Sequence, residues 1–219
     1  MTRLQADFYQ QSTRKLARAL LGKTLVRQLA NETLRCIIVE VESYLDKNDP
    51  AAHSHCGQTK RNASMFKEAG TLYVYTIHNR FCINVVSEAR GRGAAVLIRA
   101  VEPIDGMETM WNSRFPEEPP QSPLSTRELV KLTQGPGRLS QALEINLKQN
   151  GLSLVDDATV WLEAPDPLLL KKRWKIRSSA RIGISKATDL PLRYFIDGNK
   201  FVSGKASEHS QGRKWSFQG

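Results

Sequence analysis

The sequence predicts an α+β fold, in which a curved, mainly antiparallel mixed β-sheet is flanked by helices in a single compact domain. Segments rich in β-branched residues recur along the chain, as strands do, and helical segments intervene irregularly instead of alternating with every strand. No internal repeat or heptad pattern is present. A chain of 219 residues can bury one sizeable core. We therefore predict that residues 1–219 form one domain.

The first half of the chain is predicted to hold one helix and four strands. Residues 12–21 are predicted to be helical, because Ser12 or Thr13 can cap the first turn and Gly22 can end the last. The strands are then expected at 24–29, 33–44, 70–77 and 94–104, the first two forming a hairpin.

The second half is predicted to mix short helices and short strands. A helix at 105–114 precedes residues 115–125, where four prolines predict an irregular surface loop. Ser125 and Glu128 have the spacing of a capping box, and a glycine-rich segment leads into a helix within 134–146. Further strands are expected at 159–163, 174–184 and 192–196, and a C-terminal tail that can be disordered at 204–219.

The charge of the chain predicts a polyanionic partner. A formal charge of +10 attracts nucleic acid or anionic membranes. Between Pro167 and Thr188 the chain carries seven Lys or Arg residues and no acid. Such a run can be only a solvated face, but the aromatic Trp174 within it and the basic character of the whole chain favour a surface that contacts nucleic-acid phosphates.

The cysteines and the N-terminus predict an intracellular protein. Cys36, Cys56 and Cys82 form no CxxC pair, and an odd number argues against a disulfide framework. The N-terminal residues lack the apolar core of a signal peptide, and no apolar run approaches membrane-spanning length. We expect a monomer in the cytoplasm, at the nucleoid in a bacterium or in the nucleus of a eukaryote, with no membrane partner.

The segment "VEVESYLDKNDPAAHSH" at 39–55 carries an unusual set of polar groups at the end of a strand. Because strand side chains alternate between faces, Glu40, Glu42 and Tyr44 are predicted to share one face. Glu40 is expected to face water, since acids seldom stay buried unless they are paired. Glu42 stands out because an aromatic ring follows it on the same face. After a turn at 48–50, His53 and His55 are expected to return towards the strand end.

Two short motifs suggest alternative chemistries. His53, His55 and Cys56, with the distant Cys82, could bind zinc and support a metal-dependent nuclease, although adjacent ligands reach one ion poorly. "GPGR" at 135–138 offers backbone N–H groups to an anion such as a DNA phosphate, or is simply a helix start.

Seven motifs, taken in order, resemble the alkyladenine (3-methyladenine) DNA glycosylase family over about residues 7–203. They are "IIVEVESYLDKNDPAAHS", "TKRNASMF", "GTLYVYTI", "FCIN", "VLIRAVEP", "GPGRLSQALEIN" and "ARIGI...LPLRYFI". The resemblance implies one domain that flips a damaged purine out of duplex DNA and hydrolyses its N-glycosidic bond, with no metal and no cofactor. A non-catalytic nucleic-acid-binding module of the same fold remains the alternative.

The resemblance also implies roles for individual residues. Glu42 matches the general base that activates water, and Arg99 matches an arginine near that water. A guanidinium in an apolar strand needs a carboxylate or phosphate partner in any case. The residues that match the walls and floor of the base pocket are Tyr44, His53, Tyr75, Asn84, Ile182 and Ile184, the last two on one strand.

One motif departs from the family. The family's wedge tyrosine, which fills the gap left by a flipped base, is replaced here by His78, and the following loop is one residue shorter. His78, Asn79 or Arg80 is therefore expected to act as the wedge, unless His78 merely sits in a surface turn.

The expected partner is double-stranded DNA containing damaged purines. The residues expected to contact its backbone are Lys60, Arg61, Arg138, Lys171, Lys172, Arg173, Lys175, Arg177, Arg181 and Lys186. No lysine nucleophile is identifiable. If the chain is a glycosylase, as the resemblance implies, we therefore predict that it is monofunctional and does not cleave the strand.

Overall fold

The structure is a computed structural model that describes residues 2–165, 174–205, 209 and 214–216. Within these residues, five helices surround one sheet, and every strand pairing is antiparallel. The predicted α+β class and mainly antiparallel sheet are confirmed, while no parallel pair occurs among the described strands. None of the described helices is long and apolar enough to cross a membrane.

The helices and strands are short, apart from two long central strands. The helices are α1 (Ala6–Tyr9), α2 (Thr13–Leu20), α3 (Met107–Arg114), α4 (Thr126–Thr133) and α5 (Pro136–Ala142), with 3₁₀ turns at Ala63–Phe66 and Leu147–Gln149. The strands are β1 (Thr24–Gln28), β2 (Thr33–Tyr44), β3 (Leu72–Ile77), β4 (Arg80–Val86), β5 (Ala95–Asp105), β6 (Val160–Glu163), β7 (Lys175–Ser179), β8 (Arg193–Ile196) and β9 (Lys214–Ser216).

The long strand β2 is the spine of the sheet. On one side it pairs with β5, which continues through β4 to β3. Its other edge is shared by two branches, because the N-terminal half of β2 pairs with β1 and the C-terminal half pairs with β8. β6 extends the first branch, and β7 with β9 extends the second. Residues 40–42 are therefore flanked by β5 and β8 at once.

One face of β2 packs into the main hydrophobic core. Val39 and Val41 are fully buried there together with Leu16 and Leu20 of α2. Such branched and long apolar side chains stabilise the fold by about 1.5–3 kcal/mol each when fully buried. The other face of β2 carries the polar side chains Glu40 and Glu42, at a point where the register with β5 shifts on both sides of Glu40.

Two predicted helices are present close to their expected positions. α2 occupies 13–20 within the predicted 12–21, although its N-cap Ser12 makes no side-chain capping hydrogen bond. Gly22 follows the helix with φ +80°, where an added Cβ would clash with the ring of Trp174. Ser125 and Glu128 form the predicted capping box of α4. The proline-rich loop at 115–125 contains no helix or strand.

Two strand predictions were wrong. β4 was missed, because its seven residues begin with a charged Arg80 and include the polar Asn84. The strand expected at 174–184 ends at Ser179, so the segment that follows is free to fold back over β2. In the predicted tail, residues 214–216 pair with β7, whereas most of that segment lies outside the described residues.

Candidate active site

Glu42 lies in the middle of the sheet with its carboxylate fully buried and bonded at both oxygens. Oε1 accepts a hydrogen bond of 2.7 Å from the backbone N–H of Ile182 and lies 3.4 Å from Nη1 of Arg99. Oε2 accepts the hydroxyl of Tyr44 at 2.9 Å. Two hydrogen bonds and one ion pair therefore hold this carboxylate in place.

The segment after β7 supplies the backbone contact to Glu42. Because β7 ends at Ser179, Ile182 is not in a strand, and its N–H is free of any ladder and donates to the carboxylate. The expectation of an Ile182–Ile184 strand is thus corrected. Both isoleucines are partly buried in this irregular segment. Their role as the pocket floor stays a prediction.

Burial raises the pKa of Glu42 above its ordinary value, because the charged form loses its hydration. The positive charge of Arg99 and the N–H of Ile182 lower that pKa again, but only in part. The pKa of the Tyr44 hydroxyl is also raised, first by burial and then by the neighbouring Glu42. Tyr44 therefore remains a neutral hydrogen-bond donor, and Glu42 takes up a proton at a higher pH than an exposed glutamate.

Glu40 is fully buried, which contradicts the expectation that it faces water. Its Oε1 lies 3.2 Å from Nε of Arg99 and 2.6 Å from Nε of Arg193, and its Oε2 accepts the N–H of Ser203 at 2.7 Å. The physical reason is pairing, since two guanidinium groups and a backbone donor replace the lost hydration. Of the two kinds of partner expected for the guanidinium of Arg99, carboxylate or phosphate, the structure shows carboxylates.

Beside Tyr44, aromatic rings enclose a small cavity. The side chains that line it are Tyr44, His53, Met65, Tyr73, Tyr75 and Asn84. The rings of His53 and Tyr75 meet nearly edge to face, with centroids 4.5 Å apart, and Tyr73 lies 5.5 Å from Tyr75. A volume of about 20 Å³ holds little more than one water. The enclosed part of the cavity is thus much smaller than a purine base.

The cavity wall includes Tyr73, which was not predicted from the sequence. Tyr73 stands two residues before Tyr75, so strand alternation alone could have placed the two rings on one face. Its hydroxyl lies 2.9 Å from Nδ1 of His53, and burial raises the pKa of Tyr73 to about 12. Burial and the nearby Arg61 lower the pKa of His53, so its imidazole is neutral at pH 7.

Asn84 is held rigidly at the same wall. It lies opposite Tyr73 in the β3–β4 ladder and is almost completely buried. Its amide nitrogen donates to the carbonyl oxygen of Tyr73 at 3.0 Å and to that of Cys82 at 3.4 Å. The orientation of this amide is thus set by the hairpin backbone.

Arg181 was expected to contact DNA phosphates, and the structure corrects this expectation. Its guanidinium is buried and makes a two-pronged pair with Asp49, with both N···O distances 2.7 Å. It also donates to the carbonyl of Ser43 and lies 4.7 Å from the ring centroid of Tyr44. Arg181 therefore fastens the 45–56 loop and Tyr44 to the site. Sequence offered no signal that Asp49 would be its partner.

The predicted wedge residues form the tip of the β3–β4 hairpin. His78 and Asn79 are exposed and have φ of +45° and +59°, and positive φ at both central residues is what a tight type I′ hairpin turn requires. The neighbouring Ile77 is 46 % exposed, which is unusual for a large apolar side chain. The wedge assignment stays a prediction.

Arg80 belongs to a group of three guanidinium side chains that we call the arginine cluster (Arg80, Arg114 and Arg138). Arg80 and Arg114 both donate to the same oxygen, Oε1 of Gln141, at 2.9 and 2.8 Å. Burial and the charges of Arg138 and Arg80 lower the pKa of Arg114, which reflects this crowding of positive charge. Arg114 was not singled out from the sequence.

The remaining predicted backbone contacts differ in their surroundings. Lys60, Arg61, Lys175 and Lys186 are exposed. Arg177 forms a 2.8 Å ion pair with Asp197. Residues 171–173 lie outside the described part of the chain.

The candidate zinc ligands are not brought together. His55 and Cys56 are exposed, His53 is engaged with Tyr73, and Cys82 is buried beside Tyr75. Among the residues that the structure describes, no three His, Cys, Asp or Glu side chains are grouped so that they could hold a metal ion.

Comparison with known proteins shows the family to which the chain belongs. The family model of methylpurine-DNA glycosylase matches residues 7–200. A protein of Rhodopirellula baltica described as a candidate 3-methyladenine DNA glycosylase is 40% identical over 214 residues, which cover 98% of this chain and 88% of the relative. A relative from Francisella tularensis with the same description is 46% identical, covering 86% of this chain and 92% of the relative.

A mammalian relative shows the same likeness. The DNA-3-methyladenine glycosylase of Mus musculus is 45% identical over 209 residues, or 92% of this chain and 61% of the mouse protein. With a family model that spans most of the chain and relatives at this level of identity, the chain belongs to the methylpurine-DNA glycosylase family of DNA repair glycosylases.

Proposed function

We propose that the protein removes damaged purines from duplex DNA by hydrolysing their N-glycosidic bond, with Glu42 as the base that activates water. The observation that carries this proposal is the position of Glu42, a buried carboxylate bonded to Tyr44 at the edge of a cavity lined by aromatic rings. A base turned out of the duplex can stack between such rings, and alkylated, electron-poor bases stack well.

The proposed chemistry uses the carboxylate of Glu42 as a general base. A water that donates to Glu42 attacks C1′ of the deoxyribose and passes a proton to the carboxylate as the bond from C1′ to the base nitrogen breaks. The bonding electrons leave with the base, and an abasic site remains. Positive charge that develops on the sugar is stabilised by the nearby carboxylate.

Base flipping would open the ring cavity. The contacts that His53, Tyr73 and Tyr75 make with one another are replaced by contacts with the extruded purine, so part of the cost of opening is recovered. Flipping a base costs a few kcal/mol and least for damaged or mispaired bases. Selectivity for damage is thus supported by the flipping step as well as by the cavity.

We further propose that the reaction stops at the abasic site. Strand cleavage through a Schiff base needs an amine nucleophile at C1′. The six side chains that line the cavity include no lysine. Borohydride trapping with a damaged duplex should therefore yield no covalent protein–DNA product.

The test is excision from duplexes that each contain one 3-methyladenine, 7-methylguanine, hypoxanthine or ethenoadenine, measured in single turnover as alkali-labile sites. The wild-type protein should cleave at least one of them, and Glu42→Gln should lose about 10²-fold or more while still binding the duplex. A wild-type protein that binds DNA but excises none of these bases would instead identify a binding module. A Glu42→Gln variant with an undiminished rate would exclude the water-activation step.

A further inference from the structure

Arg193 is a fully buried arginine that no part of the proposed mechanism uses. It lies on β8 directly opposite Glu42 in the ladder, and yet its side chain turns to Glu40, with Nε 2.6 Å from Oε1. Nη1 donates to the hydroxyl of Ser179 at 2.9 Å and Nη2 to the carbonyl of Ser203 at 2.7 Å. Burying a guanidinium this completely costs free energy unless the charge is paired and its N–H groups are hydrogen-bonded.

Four buried charges form one continuous chain from Arg193 to Glu42. Arg193 contacts Glu40, Glu40 contacts Arg99 at 3.2 Å, and Arg99 contacts Glu42 at 3.4 Å. With two carboxylates and two guanidinium groups, this row of four side chains has a net charge of zero. Arg99 is shared between both carboxylates, so it can neutralise Glu42 only if another cation neutralises Glu40.

We propose that Arg193 is a positioning residue for the glycosylase reaction, which acts through Glu40 to keep the charge of Arg99 available to Glu42. With Arg193 in place, Glu42 can remain a carboxylate although it is fully buried. This inference rests on the proposed role of Glu42, and it adds a fully buried group that does not line the cavity.

Within the part of the chain that the structure describes, the other groups that face Glu42 add no positive charge beyond that of Arg99. Arg99 comes from β5, Glu40 and Tyr44 from β2 itself, Tyr75 from β3 and Cys82 from β4. Tyr44, Tyr75 and Cys82 stay neutral near pH 7, since burial raises the pKa of each. Arg181 lies over the ring of Tyr44 but is neutralised by Asp49.

Removing the charge of Arg193 should therefore raise the pH at which Glu42 becomes protonated. In Arg193→Met, one cation faces two buried carboxylates, and such a coupled pair takes up a proton at higher pH than a neutralised one. At a pH on the acid side of the rate profile, excision by Arg193→Met should fall about tenfold relative to wild type. The rate should recover at higher pH.

The double variant Glu40→Gln/Arg193→Met separates charge from structure. It removes one negative and one positive charge. The two charged groups that remain, Arg99 and Glu42, neutralise each other. Its acid limb should return towards that of the wild type, although both buried side chains have changed. Arg193→Lys, which keeps the charge, should also stay close to wild type. Arg27→Met is the matched control. Arg27 is a buried arginine on β1, and its hydrogen bonds go to backbone carbonyl groups and not to a carboxylate.

The experiment has a readout that does not depend on activity. In protein labelled with ¹³C at the glutamate carboxyl carbons, the Glu42 signal is assigned by its loss in Glu42→Gln, and its titration is followed in each variant. The inference predicts a titration displaced to higher pH in Arg193→Met and a titration close to wild type in the double variant, Arg193→Lys and Arg27→Met. If Arg193→Met does not fold, the Glu42 titrations of the double variant and of Arg193→Lys test the inference. Both should stay close to wild type, and a displaced titration in either would contradict it.

The outcomes distinguish this inference from the proposed function. A Glu42 titration that is displaced equally in Arg193→Met and in the double variant overturns the inference, as does one that Arg193→Met leaves in place. Rates that fall by the same factor at every pH, as a merely structural role would cause, overturn it too. A wild-type protein without excision activity would reject the proposed function, while the carboxyl titration would still decide the role of Arg193.

Discussion

Replacing Asp49 by asparagine removes the negative half of a buried ion pair and leaves the positive half in place. Both side chains of the Asp49–Arg181 pair are 0 % exposed, and two N···O contacts of 2.7 Å join them. Asparagine has nearly the same shape, but its one carbonyl oxygen can accept from only one of the backbone N–H groups of Leu45 and Ala51, which donate to Oδ2 and Oδ1 of Asp49. The substitution therefore removes the negative charge and, in addition, one backbone hydrogen bond.

The expected magnitude follows from this burial. Removing one partner of a buried pair costs about 3–5 kcal/mol, because the other charge is left without compensation. For a chain of this size that corresponds to a fall in Tm of about 6–20 °C. Since Arg181 also lies over the ring of Tyr44, the loss should loosen the cavity wall as well as the 45–56 loop.

Urea unfolding at pH 7, followed by circular dichroism, measures the effect. The double variant Asp49→Asn/Arg181→Met should lose less stability than the two single variants added together, since neither charge is then left alone. Arg90→Ala is the control, because its 2.8 Å pair with Glu68 is well exposed and should contribute about 1 kcal/mol or less. A loss below about 1 kcal/mol in Asp49→Asn, or strictly additive losses in the double variant, would refute the reasoning.

The same pair predicts a pH dependence of stability. Burial on its own would raise the pKa of Asp49, but the hydrogen bonds from Arg181 and from the N–H of Leu45 outweigh it and hold the pKa below the usual value. A lowered folded-state pKa stabilises the protein above the unfolded-state value and loses that contribution as the pH falls through the folded-state value. The stability difference between wild type and Asp49→Asn should therefore shrink in acid.

Three further predictions concern activity, DNA binding and local stability. Because the pKa of Glu42 is raised and the carboxylate is the active form, the single-turnover rate should decline on an acid limb that lies above the ordinary glutamate value of 4.5, and a limb at or below that value would contradict it. Arg114→Ala should weaken binding to undamaged duplex and reduce the slope of log K against log salt by about 1, if the arginine cluster contacts a phosphate, whereas Arg90→Ala should change neither quantity. Ser125→Ala should destabilise the protein by about 0.5–2 kcal/mol through loss of the α4 capping box, measured by thermal unfolding with Thr126→Ala as a neighbouring control.

Much of this fold could be predicted from local sequence patterns. The apolar and β-branched run before Tyr44 predicted β2, and alternation along it put Glu42 and Tyr44 on one face, where the structure has them bonded. The Ser125 capping box was readable for the same reason, since its donor and acceptor lie three residues apart. In each case the deciding interaction is local in sequence.

Other features depend on partners far along the chain. The burial of Glu40 could not be read from β2, because its second guanidinium comes from Arg193, 153 residues later. Likewise nothing near Arg181 indicated that Asp49 would neutralise it, and so a buried structural arginine was taken for a DNA contact. The end of β7 at Ser179 could not be predicted either, because Ile182 and Ile184 continue the β-branched pattern beyond it. This strand end leaves the backbone N–H of Ile182 available to donate to Glu42.

The sequence by itself thus determined the fold class, the strand that carries Glu42 and Tyr44, and the family. Periodicity and capping depend on neighbouring residues, and the order of the motifs can be read directly along the chain. The tertiary structure alone decided which of the many charged side chains are buried against one another and which remain exposed. The physical reason is that the charge state of a buried group is set by the groups packed around it, and in this sheet those groups come from β2, β5, β8 and the segment after β7.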